Sequence, residues 1–421
     1  MPSAATGRRD SGARRGRVGP TSYDAAMTTP QGGETVRFLH TADWQLGMTR
    51  RFLGDESQAV FTADRLAAVS ALGELATARG AQFIVVAGDA FEDNAVPRSV
   101  VLRAAEVLAG FTVPVLVLPG NHDPLDVSSV LRCRDFASAV DGGAVVVLDG
   151  SGPVEVIPGV EVVGVPWTSK RPDPSRLPAL VSSLEPSDAL RVLVAHGGTD
   201  EIYGGHSPSV EAIAVSALEE AVDSGRLDYV ALGDRHSVTR VGSGERIWCS
   251  GAPETTDFDD VEKDSGHALL VEIDRTAPGG ARGRCTVTPL RTGRWSFLAV
   301  NARIDTDADL DALAARIEAI EDKPRAVLKL GLTGTVGVAL RARIDEEVAR
   351  WAALFACAYL RETRTHLVVC SDDTDLTDLV DGYAGRAVED LMEMAAVGGP
   401  QAQDAGHALS LLYRLVDGGA R

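Results

Sequence analysis

The stretch VLVLPGNHD, residues 115–123, decides the fold. An uninterrupted apolar run stops at a Pro-Gly pair, and the next three residues are Asn121, His122 and Asp123. So short a continuous apolar run reads as a strand buried on both faces, the kind found in parallel sheets covered by helices. The same grammar recurs in VRFLHTAD (36–43) ending at Asp43, FIVVAGD (83–89) at Asp89, RVLVAH (191–196) at His196, and YVALGDRH (229–236) at Asp234 and His236. In an open α/β sheet, the loops at the carboxyl ends of the strands line one crevice, where ligands bind. Five strands delivering Asp, Asn and His there in sequence order predict a metal centre.

Working outward, residues 64–79 carry Leu66, Val69, Leu72 and Leu75 at helical spacing and stop at Gly80. A second helix is predicted around 99–108, so the chain opens strand–helix–strand–helix–strand, which implies parallel strands and right-handed crossovers. Short strands at 144–148, 154–157 and 160–165 are separated by Gly and Pro, and two more follow at 246–249 and 267–273. The pattern predicts a two-sheet α/β sandwich over residues 34–285. Residues 286–370 read as a small α+β cap domain: strand 296–303, helix 309–320, strand 325–332, helix 337–349 and strand 354–360. Residues 371–421 hold an acidic linker (371–378) and two amphipathic helices, 384–397 and 403–416. The second shows Ala408, Leu411, Leu412 and Leu415 on one face; these helices either pack back or dock on a partner. Residues 1–33 are Gly/Ser/Arg-rich without periodicity and are expected to be disordered. Met27 lies shortly before the first strand, so an over-extended start is one reading of them and a DNA-touching arm another.

With 421 residues there is room for two or three domains, and 45% hydrophobic with 24% charged residues is an ordinary globular balance. No apolar run approaches the ~18 residues of a membrane helix, so no membrane association is expected. Five scattered cysteines with no CxxC pair argue against a disulfide framework or a thiolate zinc site and fit a reducing cytoplasm. A net charge of −19 is awkward for binding nucleic acid, since phosphates are neutralised by Lys and Arg. Arg50, Arg51, Arg98, Arg132, Arg134, Lys170, Arg235 and Arg240 lie near the site loops in sequence, either as a local basic track or as dispersed solvated charges.

The segments HTADWQLG, GDAFEDN, GNHD, AHGG and GDRH, in that order, resemble the five motifs of calcineurin-like metallophosphoesterases. Within that superfamily the resemblance is closest to the SbcD-type DNA-repair exonuclease subunit, and CSGAPETTDFDD followed by SGHALLVEID looks like that branch's closing run. The resemblance implies two divalent metal ions, Mn²⁺ first with Mg²⁺ the alternative. Asp43, Gln45, Asp89 and His236 would hold one; Asp89, Asn121, His196 and Asp234 would hold the other. It places His122, held by Asp123, beside the scissile phosphate, where it assists the leaving group. It further implies DNA as substrate, an SbcC-type ATPase partner bound through the C-terminal helices, and a homodimer.

Two positions depart from the family pattern. Gln45 and Asp234 stand where the family has histidines, which makes the ligand set richer in oxygen and favours Mn²⁺ or Mg²⁺ over Zn²⁺. The same departures allow a decayed site, and with it a non-catalytic scaffold. The leading expectation is a cytoplasmic, metal-dependent phosphodiester hydrolase acting on DNA ends in repair. A phosphodiesterase or phosphatase for a small nucleotide or phospholipid is the second. Glu92 either orients the site or is a solvated loop acid. His40 is expected to be structural, and Trp44 and Trp167 to pack rather than line a cleft.

Overall fold

The computed structural model describes residues 35–143, 145–171, 173–202, 212–275, 283–370 and 383–397, with single residues 401, 404, 405 and 408. The expectations for residues 1–33, for the acidic linker and for most of the last helix lie outside these residues.

The first sheet contains β1 (Thr35–Thr41), β2 (Phe83–Val86), β3 (Val115–Val117), β4 (Val145–Val147), β11 (His267–Asp274) and β12 (Cys285–Arg291), in the order β12-β11-β1-β2-β3-β4. The second contains β5 (Val154–Ile157), β6 (Val160–Gly164), β7 (Leu190–His196), β8 (Tyr229–Gly233), β9 (Thr239–Arg240) and β10 (Ile247–Cys249), in the order β5-β6-β7-β8-β10-β9. The centres of both sheets are parallel, β1-β2-β3-β4 in one and β6-β7-β8-β10 in the other, with antiparallel strands at their edges.

Side-chain alternation along each strand builds the layers. In β1, Val36 and Phe38 point between the sheets, where they meet Phe83, Val85, Val162, Val192 and Tyr229, while Leu39 points to the outer helices. Helices α1 (Asp55–Arg79) and α2 (Arg98–Ala109) cover the outside of the first sheet, and α3 (Arg134–Asp141) packs beside α2. Helices α4 (Arg176–Ser183) and α5 (Val215–Asp223) cover the second. The result is the expected α/β sandwich, and it places the carboxyl ends of β1, β2, β3, β7 and β8 along one edge.

Two boundaries differ from the sequence expectation. Helix α1 starts at Asp55, nine residues before the expected helical stretch begins at Asp64. Its first turns bury Phe61 against Trp295 and Phe297 of the following domain, a surface no local periodicity reveals. Strand β12 pairs antiparallel with β11 along its whole length, so the first sheet runs on to Arg291, beyond the expected boundary at 285.

The small domain has strands β13 (Ser296–Arg303), β14 (Ala326–Gly337), β15 (Cys357–Leu360) and β16 (His366–Cys370), with helices α6 (Asp307–Glu318) and α7 (Val338–Leu354). All its strand pairings are parallel, a finer feature than the α+β pattern carried. β14 pairs β15 along its first half and β16 along its last, and β16 was not anticipated. Helix α6 begins in a capping box between Thr306 and Asp309, which satisfies backbone N–H groups at both ends of that first turn. Helix α8 (Tyr383–Val397) matches the first of the two expected terminal helices.

Candidate metal centre

Asp43, Asp89, Asn121, His196, Asp234 and His236 all follow or end parallel strands at the one edge. The turns that carry them are strained. Six non-glycine residues among those described adopt a left-handed φ, and four of them are Asp43 (54°), Gln45 (42°), Asp89 (53°) and Asp234 (87°). Each such residue costs on the order of 1 kcal/mol or more unless its surroundings over-determine it. Here backbone bonds from Asp43 N to Gly88 O (3.0 Å) and from Gln45 N to Asp89 O (2.9 Å) lace the first two loops together. Glycine is required where the loops touch: a Cβ on Gly120 would collide with the Asp89 carboxylate, and one on Gly233 with the Ala87 carbonyl.

Asp43, Asp89 and His196 bring ligand atoms within 4.8 Å of one another, all three buried. His196 Nδ1 lies 2.7 Å from the Ala87 carbonyl, which can only accept, so Nδ1 carries the hydrogen and donates. Its Nε2 therefore faces Asn121 Oδ1 at 2.8 Å, Asp89 Oδ2 at 3.3 Å and Asp234 Oδ1 at 3.8 Å. Those neighbours are acceptors, and so is the neutral ring nitrogen they surround. A cation, whether a proton or a metal ion, would satisfy such a cluster. The electrostatics agree. Burial acts to lower the His196 pKa, but Asp89, Asp43 and Asp234 outweigh it and hold the pKa well above the ordinary value. Burial acts to raise Asp89, but His196 and His122 outweigh it and hold that carboxylate below its usual range. Asp43 has less help, and burial pushes it up to about 6.

On the other side, His236 Nδ1 donates to Glu262 Oε1 at 2.7 Å, while Nε2 lies 3.8 Å from Asp43 Oδ1 and 3.4 Å from Gln45 Nε2. Burial acts to lower its pKa, but the Glu262 carboxylate and Asp43 raise it to about 9. Gln45 Oε1 is buried and, among the described residues, has no hydrogen-bond partner. Leaving it so costs about 1–3 kcal/mol, which a bound cation would offset. Asp43, Asp89 and His196 could thus hold a metal ion, with the Gln45 and Asn121 amide oxygens, Asp234 and His236 nearby as further donors.

His122 approaches the same cluster. Its backbone N–H donates to Asp89 Oδ1 at 2.9 Å, and its Nε2 stands 4.0 Å from Asp89 Oδ2 with the side chain 36% exposed. One expectation is corrected here. His122 is oriented not by Asp123 but by the Glu92 carbonyl, 2.8 Å from Nδ1. Asp123 is fully buried, and its two oxygens accept from the backbone N–H groups of Gly120 (2.8 Å) and Phe91 (3.1 Å). Burial and the nearby Asp89 raise its pKa to about 7, so it braces the turn that presents Asn121 rather than holding the imidazole.

His40 is structural as expected, bonded to Tyr229 Oη and Leu232 O, and burial lowers its pKa to about 3. Trp44 is buried, as expected. Trp167 does more than pack: its indole donates to His196 O at 2.8 Å, and its ring helps line a cavity of about 260 Å³ with Ile213, Leu177 and Arg176. A larger cavity of about 710 Å³ beside Arg246 and Cys285 contains none of the site residues, so chemistry rather than size locates the centre. Of the basic residues flagged from sequence, Arg98 pairs with Asp135, Lys170 with Asp93 and Arg240 with Glu245. Arg50 points inward to Thr256 O. Sequence reasoning did not single out Glu262 and Thr256, although both lie in or beside the run CSGAPETTDFDD.

Cys133, Cys249, Cys285 and Cys357 are free thiols. Among the described residues no helix is long and apolar enough to cross a membrane.

Residues 36–238 match the family model described as calcineurin-like phosphoesterase. The SbcD component of nuclease SbcCD from Escherichia coli strain K12 is 25% identical over 261 residues, covering 54% of this chain and 63% of the relative; the O157:H7 protein gives the same figures. The chain thus spans less than two-thirds of the length of these curated relatives. Among solved structures, that of TT1561 of Thermus thermophilus has a TM-score of 0.39 at 14% identity, covering 61% of this chain and 99% of that one. A dimetal phosphatase from Danio rerio has a TM-score of 0.37 at 11% identity, with coverage of 61% and 99%. From its strand order, its ligand-bearing loops and the matched family model, the chain carries a calcineurin-like metallophosphoesterase domain over residues 36–238.

Proposed function

We propose that the protein is a metal-dependent phosphodiester hydrolase, and that its substrate is DNA, processed as an SbcD-like exonuclease or endonuclease together with an SbcC-type ATPase. One observation carries the hydrolase reading: the buried cluster of acceptors around His196 Nε2, which a cation would satisfy. Two divalent ions held there, Mn²⁺ or Mg²⁺ by the hardness of the oxygen-rich donor set, would acidify water and neutralise phosphoryl oxygens. Asp89 and Asp43 fix the negative side of that site, and Glu262 keeps the His236 ring oriented through Nδ1. His122 is the half-exposed group at the rim. With Nδ1 donating to Glu92 O, its Nε2 is free to hold a proton for the departing oxygen.

Support for DNA is the likeness to the SbcD proteins. The homodimer and the ATPase partner rest on the same likeness, as does a cytoplasmic place in DNA repair. The cavity beside His196 favours a second reading, a small phosphodiester whose leaving group sits against Trp167. Pairing of Arg98, Lys170 and Arg240 with acids points the same way. End-labelled linear duplex and single-stranded DNA, incubated with the purified protein and Mn²⁺, decides between them. Shortened labelled strands support the nuclease. Intact DNA, with or without an SbcC-type partner, alongside turnover of small phosphodiesters supports the second reading.

A further inference from the structure

Arg65 is 2% exposed in the middle of α1, an unusual place for a guanidinium. Its Nη2 donates to Trp44 O at 2.6 Å, and its Nη1 to Thr255 O at 3.3 Å. Trp44 lies between Asp43 and Gln45. Thr255 precedes Thr256, whose hydroxyl lies 2.7 Å from His236 Nδ1 and also donates to Glu262. One guanidinium fork therefore links the loop that carries Asp43 and Gln45 to the loop that braces His236. The guanidinium also lies over Phe61, with Cζ 5.3 Å from the ring centroid.

The preceding residue, Asp64, faces the other way. It is 6% exposed and accepts from Trp295 Nε1 at 3.0 Å and Arg325 Nε at 2.7 Å, with Arg294 Nη1 at 3.5 Å. Trp295 and Arg294 lead into β13, and Arg325 leads into β14, so these contacts are the seat of the small domain on α1. Consecutive residues on a helix diverge by about 100°. Asp64 and Arg65 thus fasten one helical turn to the small domain on one side and to the metal loops on the other.

Building on the metal-centre reading, we propose that Arg65 is a positioning residue for the Asp43–Gln45–His236 half of the centre, and that Asp64 ties its placement to the seating of the small domain. Cation affinity in that half then depends on contacts well outside it.

The test is calorimetric titration of the full chain with Mn²⁺ alone, read beside the Mn²⁺ spin-resonance signal, with Gln45→Ala marking which binding event belongs to this half. Arg65→Met, which keeps volume and drops the fork, should weaken that event at least tenfold and leave the other within threefold. Arg65→Lys, which keeps the charge, should fall between the two. Arg325→Ala, a partly exposed change that leaves Arg65 untouched, should weaken the same event about threefold. If Arg65→Met fails to fold, Arg65→Lys decides alone. Arg65 variants that bind both ions as the parent does, with only the melting temperature lowered, would overturn the inference. An unchanged Arg325→Ala would overturn the small-domain half of it. A parent chain that takes up no Mn²⁺ would instead sink the metal-centre reading itself.

Discussion

His196 Nε2 lies 2.8 Å from Asn121 Oδ1, while its other nitrogen donates to the Ala87 carbonyl, so the ring turns its lone pair into a ring of oxygens. Without a metal ion, protonation of His196 relieves this contact, and the surrounding carboxylates raise its pKa in that direction.

Cation uptake should therefore expel protons. His236 is raised to about 9, so at pH 7.5 its imidazole carries two protons, and the carboxylates around His196 shift that ring in the same direction. Mn²⁺ titrations in buffers of different ionisation enthalpy should report net proton release, with His236 contributing about one proton per chain. Release near zero would mean that the imidazoles are not ligands.

The same groups set how the metal-free protein responds to pH. The folded pKa of Asp43 is raised to about 6, so its stabilising contribution is complete below about 4 and is lost as pH rises through 6. His236 is raised to about 9, so its contribution is complete below about 6.5 and is lost as pH rises through 9. Both slopes run the same way. Melting temperature in chelator should fall between pH 5 and 9, and saturating Mn²⁺ should flatten the fall. Asp43→Asn should remove the lower part of it.

Glu262→Gln keeps the shape and removes the charge that holds His236. Cation affinity or turnover should drop 10- to 100-fold, as is usual when a ligand's outer partner is changed. Thermal unfolding with chelator present checks that the fold survives. Full activity would show that Thr256 suffices to orient the ring.

Gln45→His restores a nitrogen donor on the side with the orphaned amide oxygen. Preference should move toward Zn²⁺, measured as the ratio of Zn²⁺ to Mn²⁺ affinity for the two proteins. A parent chain that already holds Zn²⁺ tightly at both positions would contradict the oxygen-rich account.

His122→Gln should lower turnover 10²- to 10⁴-fold on an alkyl phosphodiester, with little change in Mn²⁺ affinity. A p-nitrophenolate leaving group needs no protonation, so the loss there should be much smaller. Equal losses on both substrates would remove the general-acid role.

The convergence of the motif loops was legible because each motif sits where a buried strand ends, and a run such as FIVVAGD displays both the strand and the turn. What stayed hidden was what braces them. Glu262 and Arg65 act across long sequence separations, 26 residues to His236 and 190 to Thr255, and the apolar spacing that reveals the helix around Arg65 says nothing of its polar partners. Asp123 was misplaced for a related reason. Adjacency to His122 suggests contact, yet the turn sends the two side chains apart, one to backbone N–H groups and the other to a carbonyl. The small domain's β16 escaped notice because it pairs only with the far half of the unusually long β14.

The most direct test of the central claim is hydrolysis of bis-p-nitrophenyl phosphate by the purified chain with Mn²⁺, beside Asp89→Asn. In the proposed two-cation reading Asp89 serves both halves of the centre, so turnover should require the metal and fall at least 10³-fold in the variant. Turnover that survives in Asp89→Asn, or its absence from the parent chain at every divalent ion tried, would contradict a working two-cation phosphodiesterase.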